Sequence, residues 1–272
     1  MTNYSVLMSL YKSESKEYFV SAVSSMLNQK PVTNDFVIVC DGPLTEELDA
    51  AISEYEKNPI FHILRIAENK GLGNALKEGV IACKNEFIFR MDSDDISLPH
   101  RVELELKLLE EGYDIVGGYI SEFVDDDPTK IVGIRKPPLI QDEIVKFSKK
   151  RCPFNHPSVA YRKSIILKAG NYRDYRKSQD WDLWYRCLMN DAKVINIPEV
   201  LVNMRSGNQM MVRRGGKVYV DSHIQIFKNM RKDKYISFAL YLRLCLYYRI
   251  YSIVPIGMKK KLTKKYLRET VN

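Results

Sequence analysis

An α/β fold, built on a mostly parallel sheet flanked by helices and carrying a helical appendage at its C-terminal end, is what this sequence predicts. Three observations carry the expectation. Within the first 91 residues, four short apolar runs alternate with segments of helical period, the pattern of a doubly wound sheet. Turn residues and aspartates gather where those runs end, which is where ligands bind in such sheets. A chain of 272 residues with 45% hydrophobic residues is long enough for one large domain and an appendage.

Taken in order, Tyr4 to Leu10 reads as a buried strand. Phe19, Val23, Met26 and Leu27 repeat at helical spacing, and that helix stops before Pro31, since the residue ahead of a proline is pushed out of the helical region. Phe36 to Cys40 is a second apolar run closed by the turn Asp41-Gly42-Pro43, and Leu48, Ala51, Ile52 and Tyr55 mark a second helix. His62 to Ile66 is a third strand. Asn69-Lys70-Gly71-Leu72-Gly73-Asn74 then opens a helix through Leu76, Val80 and Cys83. Its glycines allow close backbone approach and its helix N-terminus favours a phosphate, although a plain turn accounts for the same residues. Phe87 to Met91 is the fourth strand.

That strand drops Asp92, Asp94 and Asp95 into its exit turn, Arg90-Met91-Asp92-Ser93-Asp94-Asp95. Three like charges within four residues repel unless something cationic sits among them. The Asp-x-Asp spacing lets two carboxylates reach one hard divalent ion such as Mg²⁺ or Mn²⁺. An Asp-rich turn leading into the helix near Arg101 is the competing explanation.

Past residue 100 the pattern loosens. Strands near Ile115–Tyr119 and Ile131–Ile134 flank the acidic turn Asp125-Asp126-Asp127-Pro128, which reads as a solvated loop. Cys152-Pro153-Phe154-Asn155-His156-Pro157-Ser158 leads into a strand at Val159–Tyr161. Ser178 is placed to cap a helix carrying Trp181, Trp184, Tyr185 and Leu188 on one face, aromatics better suited to a core than to a substrate platform. Asp180 lies in the first turn of that helix, where the dipole favours an ionised carboxylate; it is either a general base or an ordinary helix charge, with Asp182 the next candidate.

Charge is unevenly placed. From Arg231 to Asn272 eleven Lys/Arg stand against two Asp/Glu, so the tail holds essentially all of the net +8. A near-neutral body argues against nucleic acid as partner, and the basic tail suits an anionic surface. Between Tyr235 and Leu267 apolar stripes are broken by Arg243 and Arg249, then followed by Lys259, Lys260, Lys261, Lys264 and Lys265. No run reaches the ~20 apolar residues of a spanning helix; a helix lying in a membrane face fits, as does packing against the body. Five widely spaced cysteines without a C-x-x-C pair indicate neither a disulfide framework nor a zinc site. Met1-Thr2-Asn3 runs directly into a strand, so no signal peptide is expected and a cytoplasmic location is.

In this order the pieces resemble the GT-A, family-two inverting glycosyltransferases, especially bacterial enzymes of capsule, O-antigen or exopolysaccharide biosynthesis. The resemblance runs from Ser5 to about Arg214. It implies a nucleotide-sugar half over 1–100, an acceptor half over 101–230, and a separate basic helical region over 231–272. It further implies donor contacts at Leu10, Tyr11, Asp41, Asn69, Lys70, Gly71, Asn74, Arg90, Asp92 and Ser93, with Asp41 holding uracil or ribose. Mn²⁺ or Mg²⁺ would sit on Asp92 and Asp94. Asn155-His156-Pro157-Ser158 resembles a segment common in polysaccharide enzymes, placing His156 and Trp181 on the acceptor side. Gln179-Asp180-Trp181-Asp182-Leu183-Trp184 is similar to the family's base motif, usually Glu-Asp; here Gln179 replaces the first acid and the base falls on Asp180. Cys40-Asp41-Gly42-Pro43 stands where Asp-Asp-Gly-Ser is frequent. Arg213-Arg214-Gly215-Gly216 is either a loop closing over the diphosphate or an exposed basic turn.

The implied activity is a metal-dependent, inverting hexosyltransferase taking a nucleoside-diphosphate sugar, by preference a UDP-sugar, to a lipid-linked saccharide at the inner membrane face. Two alternatives compete. A nucleotidyltransferase should carry a Gly-rich basic loop after the first strand, whereas Tyr11-Lys12-Ser13-Glu14 has no glycine. A non-catalytic sugar-nucleotide-binding subunit would have no use for a base at Asp180.

Overall fold

The computed structural model describes residues 2–124, 126–206 and 216–254. Its strands are β1 (Tyr4–Leu10), β2 (Asp35–Asp41), β3 (Phe61–Ile66), β4 (Phe87–Met91), β5 (Ile96–Ser97), β6 (Ile115–Val124), β7 (Asp127–Arg135), β8 (Ala160–Arg162) and β9 (Val194–Arg205). They form one sheet in the order β3-β2-β1-β4-β8-β6-β9-β5, with β7 paired to β6. The helices are α1 (Lys16–Leu27), α2 (Glu46–Glu56), α3 (Leu72–Ala82), α4 (Arg101–Glu110), α5 (Gln141–Ser148), α6 (Lys163–Lys168), α7 (Gln179–Met189), α8 (Lys217–Lys232) and α9 (Phe238–Ile253).

The first four strands are parallel, as the alternating pattern requires. Their continuous apolar runs follow from burial on both faces: Val6, Phe36, Ile38 and Phe89 enter one core layer, while Leu7, Val37, Val39 and Ile88 enter the other. The second half corrects the expectation of a mostly parallel sheet. β8 runs antiparallel to β4 and β6, β7 to β6, and β5 to β9, so the sheet is mixed. The physical reason is connection length. Only two residues separate β6 from β7 in the sequence, and so short a link can only reverse the chain.

Two close approaches bring the loops at the strand ends together. Gly42, at φ +86°, lies so near Asn69 that a Cβ would come within 2.7 Å of its backbone nitrogen. A Cβ on Gly73 would stand 2.8 Å from the Arg173 carbonyl, so the start of α3 is packed directly on the segment leading to α7.

α8 and α9 close a third core with Trp181 and Tyr185 of α7, including Phe227, Met230, Leu244, Cys245 and Tyr248. Position 230 thus falls inside α8, and beyond it Ile236, Leu244, Cys245 and Tyr248 pack into the same core. α9 is apolar on both sides. Its outer face leaves Phe238, Leu242, Leu246, Tyr247 and Ile250 exposed. No helix among the described residues is long and apolar enough to cross a membrane. The lysine-rich run at 259–265 lies outside the described residues.

Candidate active site

A cleft of about 1080 Å³ opens at the carboxyl ends of the parallel strands. The ends of β1, β2 and β4 supply Leu10, Tyr11, Asp41, Arg90, Asp92, Ser93 and Asp94; of the other residues expected from sequence, Asn69, Gly71, His156 and Asp180 also line it.

The Asp92–Asp95 turn is anchored from below by Arg101, buried in α4. Its Nη2 donates to the Arg90 carbonyl at 2.8 Å, and its Nε pairs with Glu105 at 2.8 Å. Burial pushes the Glu105 carboxyl up to about 7. From the side, Arg205 at the end of β9 donates its backbone N–H to Asp95 Oδ1 (2.9 Å) and its Nε–H to the Asp94 carbonyl (3.1 Å). Its guanidinium stacks 3.7 Å over Tyr18 and pairs with Asp126 at 2.6 Å.

Carboxylate oxygens of Asp92, Asp94 and Asp95 lie within 4.8 Å of one another. The Asp94 carboxyl is pushed up to about 7 by burial and by the charges of Asp92 and Glu14. Asp95 is raised well above the usual range by burial, Asp94 and Asp92. Its Oδ2 is buried without a hydrogen-bond partner. An all-oxygen set strained by mutual repulsion, with an orphaned buried oxygen, fits a hard divalent cation. Asp94 is the better ligand of the expected pair, because Arg90 already reaches both oxygens of Asp92.

Across the cleft, Asp180 heads α7. Burial raises its carboxyl, opposed by the Cys152 thiol (Sγ to Oδ2 3.3 Å), the Trp181 backbone N–H and the charge of Arg90. A desolvated carboxylate held by a weak thiol donor keeps its basicity, which suits proton abstraction. Asp182, the alternative base, is fully buried, paired with Arg186 at 2.7 Å, and not in the cleft. His156 is held neutral, its pKa driven well below the usual value by burial and Arg90, with Nε2 3.0 Å from the Tyr172 hydroxyl.

Several expectations are corrected. Trp181 is 1% exposed, absent from the cleft lining, and its indole N–H donates to the Ser148 carbonyl at 2.7 Å; it is core, because its helix face packs on α8. Lys70 and Asn74 are likewise outside the lining, and the Asn74 amide donates to the Lys70 carbonyl at 2.9 Å. Asp41 lines the cleft, yet its oxygens accept the backbone N–H groups of Lys70 (2.8 Å) and Gly71 (2.9 Å), so it fastens the turn ahead of α3. Ser178 makes no side-chain cap. It adopts a left-handed φ of 60° and its hydroxyl meets His223 Nε2 at 3.2 Å. Arg213 and Arg214 lie outside the described residues.

Sequence reading missed Glu14, Arg205, Arg176 and Lys177, all in the lining. Glu14 accepts from Ser93 Oγ at 2.7 Å. Its place just after the first strand was the available signal. Arg205 carried none, since its role depends on the β5–β9 pairing.

The cleft at the ends of the parallel strands thus brings a carboxylate turn suited to a hard cation together with the desolvated carboxylate of Asp180. Residues 5–170 match the model for glycosyl transferase family 2, and the chain belongs to that family. It is 32% identical over 227 residues to the amylovoran biosynthesis glycosyltransferase AmsE of Erwinia amylovora, covering 83% of this chain and 84% of the relative. It is 31% identical over 267 residues to the Escherichia coli UDP-Gal:alpha-D-GlcNAc-diphosphoundecaprenol beta-1,3-galactosyltransferase, covering 97% and 96%. Among solved structures, S. aureus TarS 1-349 in complex with UDP-GlcNAc superposes with a TM-score of 0.63 at 14% identity, over 97% of this chain and 71% of that one; this likeness speaks to fold alone.

Proposed function

We propose that this glycosyltransferase moves a sugar from a UDP-sugar to a saccharide carried on a lipid diphosphate, in the assembly of a bacterial surface polysaccharide. The observation that carries the reading is the single cleft in which Asp94 and Asp92 face Asp180. Near full-length similarity to an enzyme named for a UDP-sugar donor and a diphosphoundecaprenol acceptor supports the substrate classes.

Asp180 takes the proton of an acceptor hydroxyl while that oxygen attacks the anomeric carbon. The bond from that carbon to the β-phosphate oxygen breaks, and the nucleoside diphosphate leaves. One displacement inverts configuration. A divalent ion on Asp94 and Asp92 would supply charge neutralisation for the departing diphosphate. Arg90 orients Asp92, Arg205 fixes the backbone of Asp94, and Cys152 holds one oxygen of Asp180 so that the other faces the acceptor. Family membership removes the nucleotidyltransferase alternative.

For the membrane, α9 exposes an apolar face and the sequence after it is rich in lysine, a composition suited to an anionic bilayer at about 1 kcal/mol per well-placed Lys or Arg. The test has two arms. Nucleotide release from a panel of UDP-, dTDP- and GDP-sugars with Mn²⁺ should single out a UDP-sugar; release from none of them overturns the donor reading. Replacing Lys259, Lys260, Lys261, Lys264 and Lys265 by Gln should reduce sedimentation with anionic vesicles, more at low salt, and unchanged sedimentation overturns the electrostatic part.

A further inference from the structure

Four Arg and Lys side chains line the cleft among the described residues: Arg90, Arg176, Lys177 and Arg205. Arg90 is committed to Asp92 and Arg205 to Asp126. Arg176 and Lys177 have neither an ion pair nor a hydrogen bond from their side chains to another described residue. Arg176 is exposed and Lys177 half-buried, so both charges reach the cleft and give that stretch of its lining a positive potential open to an anion.

Their position says which anion. They stand four and three residues before Asp180, so at a reach of at most ~3.5 Å per residue both lie within about 14 Å of the base along the chain. The segment that carries them is fixed at both ends. Arg186 donates to the Asn171 carbonyl at 2.8 Å, Arg173 pairs with Asp182 at 3.6 Å, and Ser178 turns into α7 in a left-handed conformation tied to His223. A residue held at such a φ implies that its surroundings impose the geometry. In the proposed function the donor diphosphate is answered by the divalent ion that the Asp92–Asp95 carboxylates suit. With the donor diphosphate answered there, the two cations close in sequence to the base are the ones left for the acceptor.

We propose that Arg176 and Lys177 form an acceptor subsite for the diphosphate of a lipid-diphosphate-linked saccharide. The inference rests on the proposed function above. A sugar with its hydroxyl at Asp180 and a diphosphate on its anomeric carbon places that diphosphate one ring away from the base. An Arg fork beside a Lys point charge is a pairing suited to phosphate oxygens. The cleft thus handles two diphosphates by opposite means, one through carboxylates and a metal ion, the other through bare cations.

The experiment is calorimetric binding of a short-chain prenyl diphosphate to the full chain saturated with UDP and Mn²⁺, with inorganic pyrophosphate as a second arm. Wild type should bind both, more weakly as salt rises. The double variant Arg176→Gln/Lys177→Gln should bind both at least about tenfold more weakly, as loss of charge-assisted contacts implies, while UDP affinity stays as in wild type. Equal binding by variant and wild type, no binding by wild type, or a matching loss of UDP affinity each overturns the subsite. Hydrolysis of the UDP-sugar, run on the same two proteins, reports the donor reading separately. If wild type hydrolyses the donor while prenyl diphosphate binding ignores the variant, only the subsite falls.

Discussion

Two carboxylate clusters in this protein are compensated in opposite ways. In α7, Asp182 is fully buried and answered within the fold, with Arg186 Nε at 2.9 Å, its Nη2 at 2.7 Å and Arg173 at 3.6 Å. At the end of β4, Asp92, Asp94 and Asp95 have beside them one buried guanidinium, Arg90, which is given over to Asp92. Asp94 is consequently pushed up to about 7. Asp182 has its counter-charge within the fold, although its Oδ1 accepts no hydrogen bond and is reached only by the Arg173 ion pair. The Asp92–Asp95 turn carries three carboxylates against the one guanidinium of Arg90, and this imbalance is what the proposed metal ion would answer.

The contrast breaks most visibly at Asp94. Asp94→Asn, or chelation of the wild type, should reduce transfer to background, read as nucleotide release. Thermal stability should hold or rise, since one of three repelling charges is gone. Full turnover in excess chelator would sink the metal assignment. Asp182→Asn should do the reverse. It strips a buried guanidinium of its charge partner, and such a break costs about 3–5 kcal/mol, measured by urea unfolding; turnover per folded molecule should stay within a few-fold of wild type. An unchanged urea midpoint would erase the distinction between the clusters.

Asp180 stands between these extremes, partly exposed yet desolvated. Asp180→Asn keeps the shape and loses the basic oxygen, and turnover should drop by at least ~10²-fold, about 2.7 kcal/mol of barrier. Donor affinity should change little. Because burial raises its carboxyl, and the base acts only when ionised, the acid limb of kcat/KM should lie above the ordinary carboxylate range, with activity falling as pH drops through it. An acid limb unchanged in the Asn variant would move the base elsewhere.

Much of this was legible in the residues. The four parallel strands announced themselves because burial on both faces demands unbroken apolar runs, and the Asp92–Asp94 spacing showed because repulsion at a strand end is conspicuous. Asp180 was readable through its place in a first helical turn. What hid were features created by pairing. Arg205 gains its role only when β9 meets β5 and β6. The mixed second half of the sheet depends on short reversals whose strands carry little periodicity. Trp181 read as core from its helix face, and α8 covering that face bears this out against the acceptor-side place the resemblance implied.

The smallest effect belongs to the scaffold behind that face. His223 is 2% exposed, with Nδ1 2.7 Å from the Tyr219 carbonyl and Nε2 3.2 Å from Ser178 Oγ, among the rings of Trp181, Phe227 and Tyr248. Burial pushes its pKa down to about 4. The folded value lies below the unfolded one, so the unfolded chain takes up the proton first. Stability from the neutral ring is therefore fully present above the unfolded pKa of ~6.5 and is lost as pH falls towards 4, by no more than about 3 kcal/mol. Glu105, raised to about 7 by burial, runs the other way and is stabilising when protonated, so the total pH dependence does not isolate the histidine. The difference does. Urea unfolding of wild type and His223→Gln at pH 7, 5.5 and 4.5 should show the wild type losing more stability on acidification than the variant. Parallel curves would mean that His223 already binds its proton in the folded state, and that the third core tolerates a charge where its aromatic packing argues against one.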